Sequence, residues 1–505
     1  MQISAKIISR IRGIKPAYLG FALFVALRFF YIHDTAPLIG EAGLEGVYVL
    51  WYFVALFLSK MIISLICAIM GYRNPLLLQR SLSAVASVYI GTAMLLLIMI
   101  LQGEMFTFGK PETLLFLLGS GVLLGIGDGL MVVLWGSFSS TLSMRAVYLF
   151  LLSSYLVALL ASGVASLFPP LVLAALVTIG CTVLPFLFKK SLESRPFVAQ
   201  RVKQQTVISG FSKTWRYITL TALFAFLSSF TLFLSSKQTL NAQSVYITAT
   251  LVTFGVVLTV LLIVLMSQKK FDIDLTYRIA LPLAAGGLLL LGFLWNSGGA
   301  FADSMVNMGW LLSDLVTWCV LSSITARYKM HPFILFGINQ IILSFAVILG
   351  GVGGYLFANT IGHGMIALMA AGLIGIYLLS MALIFLLKDR HANTLVDTKR
   401  TSTSPQIQIP TQEMALPLQP EQEQLSQGSI SHDYVQEKVR ELAKRADLTA
   451  REVDILGFLA QGRSTHYMAQ TLVLSENTVK SHVKNVYRKL NVHSKQDVIA
   501  IINGP

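Results

Sequence analysis

About twelve apolar runs follow one another through the first 390 residues, each close to the roughly 20 residues that a helix needs to cross a hydrocarbon core of about 30 Å. They begin near Tyr18, Leu44, Ser81, Thr113, Arg145, Pro169, Tyr217, Ser244, Tyr277, Ser304, Pro332 and His363. Lipid offers the backbone no hydrogen-bond partner, so each run is expected to be a helix. From His391 the pattern stops, and Thr, Ser, Pro and Gln take over with no apolar period that could build a core. After residue 434 it resumes as short amphipathic segments. The chain therefore reads as all-α in three parts: a polytopic membrane domain over 1–390, a disordered linker over 391–433 and a small C-terminal domain over 434–505.

Composition agrees, with 55% hydrophobic and only 12% charged residues. The net charge of +14 suits nucleic acid, lipid headgroups or basic loops that orient membrane helices. Both uses contribute here. Lys6 to Lys15, Arg73, Arg80, Arg145, the stretch Lys189 to Arg216, Lys269, Lys270, Arg278, Arg327, Lys329, Lys388 and Arg390 fall in alternate loops. The intervening loops hold Asp34, Glu41, Glu45, Glu104, Lys110, Glu112, Lys237 and Asp303. By the positive-inside tendency an even number of spans puts both termini in the cytoplasm. The basic N-terminus imitates a signal peptide, but the runs that follow make its apolar stretch a retained helix.

Cys67, Cys181 and Cys319 lie in separate apolar runs, with no ligand spacing to histidine or to one another. Neither a disulfide nor a metal site is expected, and no cofactor. No nucleophile and base pair suggests an enzyme. Charge at membrane depth is costly, so Arg28, Lys60, Asp128, Asp314 and, with them, Asn339 are candidate ligand-binding residues for a small molecule. The alternative is an internal ion pair that clamps helices. Small-residue runs at Gly119-Ser120-Gly121 and Gly350 to Gly354 predict close helix packing.

The long basic loop after the sixth span divides the membrane domain into two sixes, and this layout resembles the major facilitator superfamily. Transporters of that superfamily usually carry a Gly-x-x-x-Asp-Arg-type signature after the second span. Here the loop reads Gly71, Tyr72, Arg73, Asn74, Pro75, without the aspartate.

In the C-terminal domain Thr449 and Glu452 form a capping box, with Leu448 and Val453 as a hydrophobic staple, so a helix starts there. A further helix beginning at Glu476 buries Val479, Val483, Val486, Tyr487 and Leu490. Its other face groups Lys480, Ser481, Lys484, Asn485 and Arg488, which suit phosphates and base edges. Leu448-Thr449-x-Arg451-Glu452, Gly462-Arg463-Ser464, Ser475 to Val483 and Tyr487 to Ser494 together resemble the LuxR-type four-helix, helix-turn-helix domain. That resemblance implies bacterial transcription regulation, double-stranded DNA as partner and binding as a homodimer. It also implies DNA contacts at Lys480, Ser481 and Lys484, with Thr478 and Lys489 supporting them at the backbone. Asn491 stands where the family often has glycine, and asparagine tolerates the left-handed backbone.

No segment resembles a phosphorylated receiver, which leaves the membrane domain as the input. The expectation is a membrane-tethered, one-component transcriptional regulator in the bacterial cytoplasmic (inner) membrane. Such a protein would sense a small molecule or a membrane state, with the bilayer as partner. The alternative is an active transporter with a regulatory DNA-binding tail.

Overall fold

The computed structural model describes residues 19–29, 46–73, 79–101, 110–165, 168, 170–195, 200, 202–235, 242–266, 273–361, 364–387, 437–460, 468, 471–472, 476–492, 497–498 and 501. The predicted linker lies outside them. The chain divides into two compact units, 1–402 and 403–505, and each is described by itself.

The membrane unit holds twelve described helices: α1 Leu19–Phe29, α2 Gly46–Arg73, α3 Gln79–Leu101, α4 Lys110–Ser139, α5 Met144–Ala165, α6 Pro170–Ser194, α7 Gln204–Ser235, α8 Ala242–Met266, α9 Ile273–Phe293, α10 Trp295–Tyr328, α11 Pro332–Thr360 and α12 Met365–Leu387. Ten are long and apolar enough to cross a membrane, while the apolar helices Leu19–Phe29 and Ser81–Leu97 are shorter. Apolar side chains point outward, with Ile366 85% and Phe186 73% exposed, as expected where lipid is the solvent.

Two helices start earlier than hydropathy alone predicts: α7 at Gln204 instead of Tyr217, and α10 at Trp295 instead of Ser304. Asp303, expected in a loop, consequently lies inside α10, where its Oδ1 accepts a hydrogen bond from the Thr231 hydroxyl at 2.6 Å. Polar turns that extend an apolar helix carry no hydropathy signal.

The two sixes are built alike. In the first, α2 packs on α4, α3 on α4 and α6, and α1 on α5 and α6. The second repeats the scheme, with α8 on α10, α9 on α10 and α12, and α7 on α11 and α12. The joint between them has the same symmetry: α2 against α11 is mirrored by α8 against α5, and α4 against α11 by α10 against α5. Parallel repeats related by a pseudo-twofold axis generate this set of neighbours.

The joint is closed at the end where α4 turns into α5 and α10 into α11. The Phe21 ring packs edge-on to Trp135 with centroids 5.5 Å apart and tilted against Phe150 at 5.1 Å and Trp318 at 5.7 Å, and Trp318 reaches Phe336 at 5.1 Å. Nearby, the Ser139 and Ser322 hydroxyls bond at 2.8 Å, Tyr148 and Thr276 at 2.8 Å, and Arg145 donates to the Val264 carbonyl at 3.2 Å. Helix α11 begins with Pro332 at its first turn, and the buried His331 Nδ1 accepts the Phe333 N–H at 3.3 Å. Burial pushes the His331 imidazole down to about 4, which keeps it the neutral acceptor that this cap needs.

In the C-terminal unit, α13 (437–445), α14 Ala450–Ala460 and α15 Glu476–Leu490 enclose Val439, Ile455, Leu456, Leu459, Val479 and Val486. Val439 of α13 thus packs into the domain core. Asn491 has φ 54° and ends α15 in the left-handed conformation, as its position in the sequence predicts.

Candidate functional site

The membrane unit brings three of the predicted intramembrane residues together. Lys60 of α2 places its ammonium 2.7 Å from Asp128 Oδ2, and Arg28 of α1 places Nε 3.5 Å from Asp128 Oδ1. Asp128 is fully buried and Lys60 2% exposed, whereas Arg28 keeps 19% of its side chain open. Close approach of α2 and α4 makes the pairing possible. Gly121, Gly125 and Gly129 face α2 at one-turn intervals, and a methyl group at Gly125 would overlap the Leu56 carbonyl oxygen and Ser59 Oγ. Gly119 is different, because a methyl group there meets nothing within 4 Å.

Arg28 opens onto a cavity of about 50 Å³. Its wall is Arg28 and Phe29 from α1, Tyr155 from α5, and Asn307, Trp310 and Asp314 from α10, with aliphatic side chains between them. Asp314 is therefore part of the same site, contributed by α10. Its Oδ1 and the Trp310 indole nitrogen are buried with no hydrogen-bond partner among the described residues. Asn307 Oδ1 accepts from the Ser228 hydroxyl at 3.1 Å. Asn339 does not join the site. It is fully buried in α11, neither of its amide atoms has a partner among the described residues, and it is absent from the cavity wall.

Tyr155, Asn307 and Trp310 do not stand out in the sequence, because an aromatic or an amide in an apolar run is ordinary. A signal did exist: Asp303, Asn307, Trp310, Asp314 and Thr317 recur every three or four residues and form one polar stripe on α10.

In the C-terminal unit Thr478, Ser481, Lys484 and Arg488 are exposed along one face of α15, with Asn485 half-buried beside them. Lys480 lies in the same helix, its side chain outside the described residues. Lys489 is placed differently from the expectation. Its ammonium turns back to Glu452 Oε2 and to the Asp447 carbonyl, both at 2.8 Å, which ties α15 to the start of α14. Glu452 also accepts the Thr449 N–H at 2.9 Å, one half of the predicted capping box.

The Lys489 hydrogen bond and then the Thr449 N–H hold the Glu452 carboxyl down at about 2, from an ordinary 4.5. The unfolded chain takes up this proton near 4.5 and the folded domain only near 2. The clamp's contribution is therefore complete above about pH 4.5 and fades as pH falls toward 2. Hydrogen exchange of α14 and α15 amides in the full-length protein, corrected for intrinsic rates, should show protection falling across that window. Glu452→Gln should flatten the fall; an unchanged profile would remove Glu452 as its cause.

Comparison with known proteins bears on each unit separately. Residues 446–502 match the family model described as bacterial regulatory proteins, luxR family. The C-terminal domain is a luxR-family helix-turn-helix domain. Its segment is 54% identical over 48 residues to the nitrate/nitrite response regulator protein NarP of Escherichia coli strain K12, which is 10% of this chain and 22% of that relative. The chain thus spans about a fifth of that relative's length, and the likeness extends to the DNA-binding regulator domain alone.

The membrane unit is similar to solved transporters. A bacterial homologue of the iron transporter ferroportin, in an outward-facing state, aligns with TM-score 0.50 at 12% identity over 77% of this chain and 100% of its own. The major facilitator superfamily transporter FucP, in the outward conformation, aligns with TM-score 0.50 at 13% identity over 73% and 98%. At this identity the likeness concerns the fold: two six-helix halves of major-facilitator type. The whole is a multi-pass membrane protein with a LuxR-type DNA-binding domain.

Proposed function

We propose that this protein is a membrane-tethered, one-component transcriptional regulator. A small molecule enters the cavity between α1, α5 and α10 and biases the arrangement of the two halves, and the linker passes that bias to the DNA-binding domain. The observation that carries this reading is a cavity in the membrane unit whose wall holds Arg28 and Asp314, in a chain whose other unit is a regulator domain. Alternation of basic residues among the loops supports cytoplasmic termini in a bacterial inner membrane. The exposed stripe of Thr478, Ser481, Lys484 and Arg488, together with the half-buried Asn485 and with Lys480, is the DNA-reading face, engaged as a homodimer. Lys489 serves that face by holding α15 in place.

Genome-wide crosslinking with the intact membrane protein tests the reading, with the double variant Lys480→Ala, Lys484→Ala as reference. Discrete DNA sites that vanish in the variant are expected. Each substitution alone should weaken operator binding by about 1–3 kcal/mol where the side chain reads a base, and should blur sequence discrimination. The absence of variant-sensitive sites under every growth condition would promote the transporter reading instead.

A further inference from the structure

Arg28 and Lys60 pair with Asp128 at membrane depth, and Asp314 lies within electrostatic reach of both cations, so the cluster balances at two of each sign. Only Arg28 and Asp314 belong to the cavity wall; Lys60 and Asp128 close on each other behind it at 2.7 Å. A molecule in the cavity consequently meets one guanidinium and one carboxylate. A ligand with net charge would leave the site unbalanced in surroundings where net charge is costly. A ligand carrying one charge of each sign keeps the balance and satisfies both walls.

The remaining wall groups divide the same way. Asp314 Oδ1 is a buried acceptor and Trp310 Nε1 a buried donor, neither with a partner among the described residues. Buried polar groups in that state favour an occupant that supplies their missing bonds. Phe29 and Tyr155 meet edge to face, with centroids 6.0 Å apart, and with Trp310 they offer aromatic faces that suit an alkylammonium group. A cavity of about 50 Å³ suits a small occupant.

We propose that the cavity takes a small net-neutral zwitterion, its carboxylate on Arg28 and the Trp310 N–H and its ammonium on Asp314 beside the aromatic rings. This rests on the reading of the membrane unit as a ligand sensor and specifies its chemical input.

The test is thermal unfolding of the purified full-length protein with glycine, alanine, proline and glycine betaine. Glycinamide and methylammonium serve as singly charged cations and acetate as the anion, all at matched ionic strength. At least one zwitterion should raise the unfolding temperature saturably, while the singly charged probes leave it unchanged. Trp310→Phe, which removes only the N–H donor, and Asp314→Asn should each weaken that binding roughly tenfold or more, the weight of one hydrogen bond to a charged group. Should Asp314→Asn not fold, Trp310→Phe decides alone.

Stabilisation by the cations and by no zwitterion would overturn the proposal, as would no response to any zwitterion. Equal affinity in Trp310→Phe would also overturn it. The sensor reading falls separately: zwitterion binding without variant-sensitive DNA sites would sink the regulator and leave the cavity's ligand class standing. DNA sites without zwitterion binding would do the reverse.

Discussion

Replacing Asp128 with alanine is expected to remove about 3–5 kcal/mol from the stability of the membrane unit, the cost of stranding a buried charge without its counter-ion. Lys60 is the reason. Its side chain is 2% exposed, and its ammonium lies 2.7 Å from the carboxylate that the substitution deletes. Arg28 loses a partner too, but it opens onto the cavity and suffers less. The same reasoning predicts that the pair is dispensable when both charges go together. Lys60→Met with Asp128→Leu swaps two desolvated ions for apolar groups of similar volume, and such swaps are often neutral or stabilising. Reversible unfolding in mixed micelles, monitored for the single and the double variant, gives both numbers. An Asp128→Ala protein as stable as wild type would mean that Lys60 finds another partner or gives up its charge. The functional prediction diverges from the stability one: by removing the support of Arg28, the double variant should lose ligand response while keeping its fold.

How much of this could be read from sequence depends on what each feature costs physically. Charges in lipid are expensive enough to stand out, and so Arg28, Lys60, Asp128 and Asp314 are visible as candidates from hydropathy alone. Which of them meet is another matter. Helical periodicity assigns a residue to a face, and the partner of that face follows from topology, so neither the pairing of Lys60 with Asp128 nor the exclusion of Asn339 is legible. Tyr155 and Trp310 are less visible still, because their polar atoms sit on large apolar bodies that match any membrane helix. In the C-terminal domain, local rules suffice for more. The capping glutamate, the buried stripe of Val479, Val483 and Val486 and the left-handed Asn491 all depend on neighbours within a few residues. Lys489 marks the limit there. As a basic residue on the helix proposed to read DNA it suggests a phosphate contact, and only the fold reveals Glu452 waiting 2.8 Å away.

Gly125→Ala should be among the most damaging single-methyl changes in the membrane unit, and Gly119→Ala, six residues earlier in the same helix, should be harmless. Both positions are helical, so both substitutions gain the same intrinsic preference of alanine over glycine, about 0.5–1 kcal/mol. At Gly119 nothing opposes that gain, since the added carbon meets no atom within 4 Å. At Gly125 the carbon collides with backbone, the Leu56 carbonyl oxygen, which no side-chain rotation can clear. Helices α2 and α4 must then separate, at a cost of about 1–3 kcal/mol or more for an overpacked contact. Lys60 lies one turn along α2 from Leu56, and Asp128 three residues along α4 from Gly125, so separation at this point stretches the 2.7 Å ion pair as well. The loss at Gly125 should consequently exceed the steric term, and it should shrink when the pair is already absent. A cycle of Gly125→Ala with the Lys60→Met, Asp128→Leu double change measures that coupling. Strict additivity would show that the glycine face of α4 only packs helices; a coupling near the value of the stretched pair would show that close approach is what keeps a buried charge cluster affordable beside the cavity.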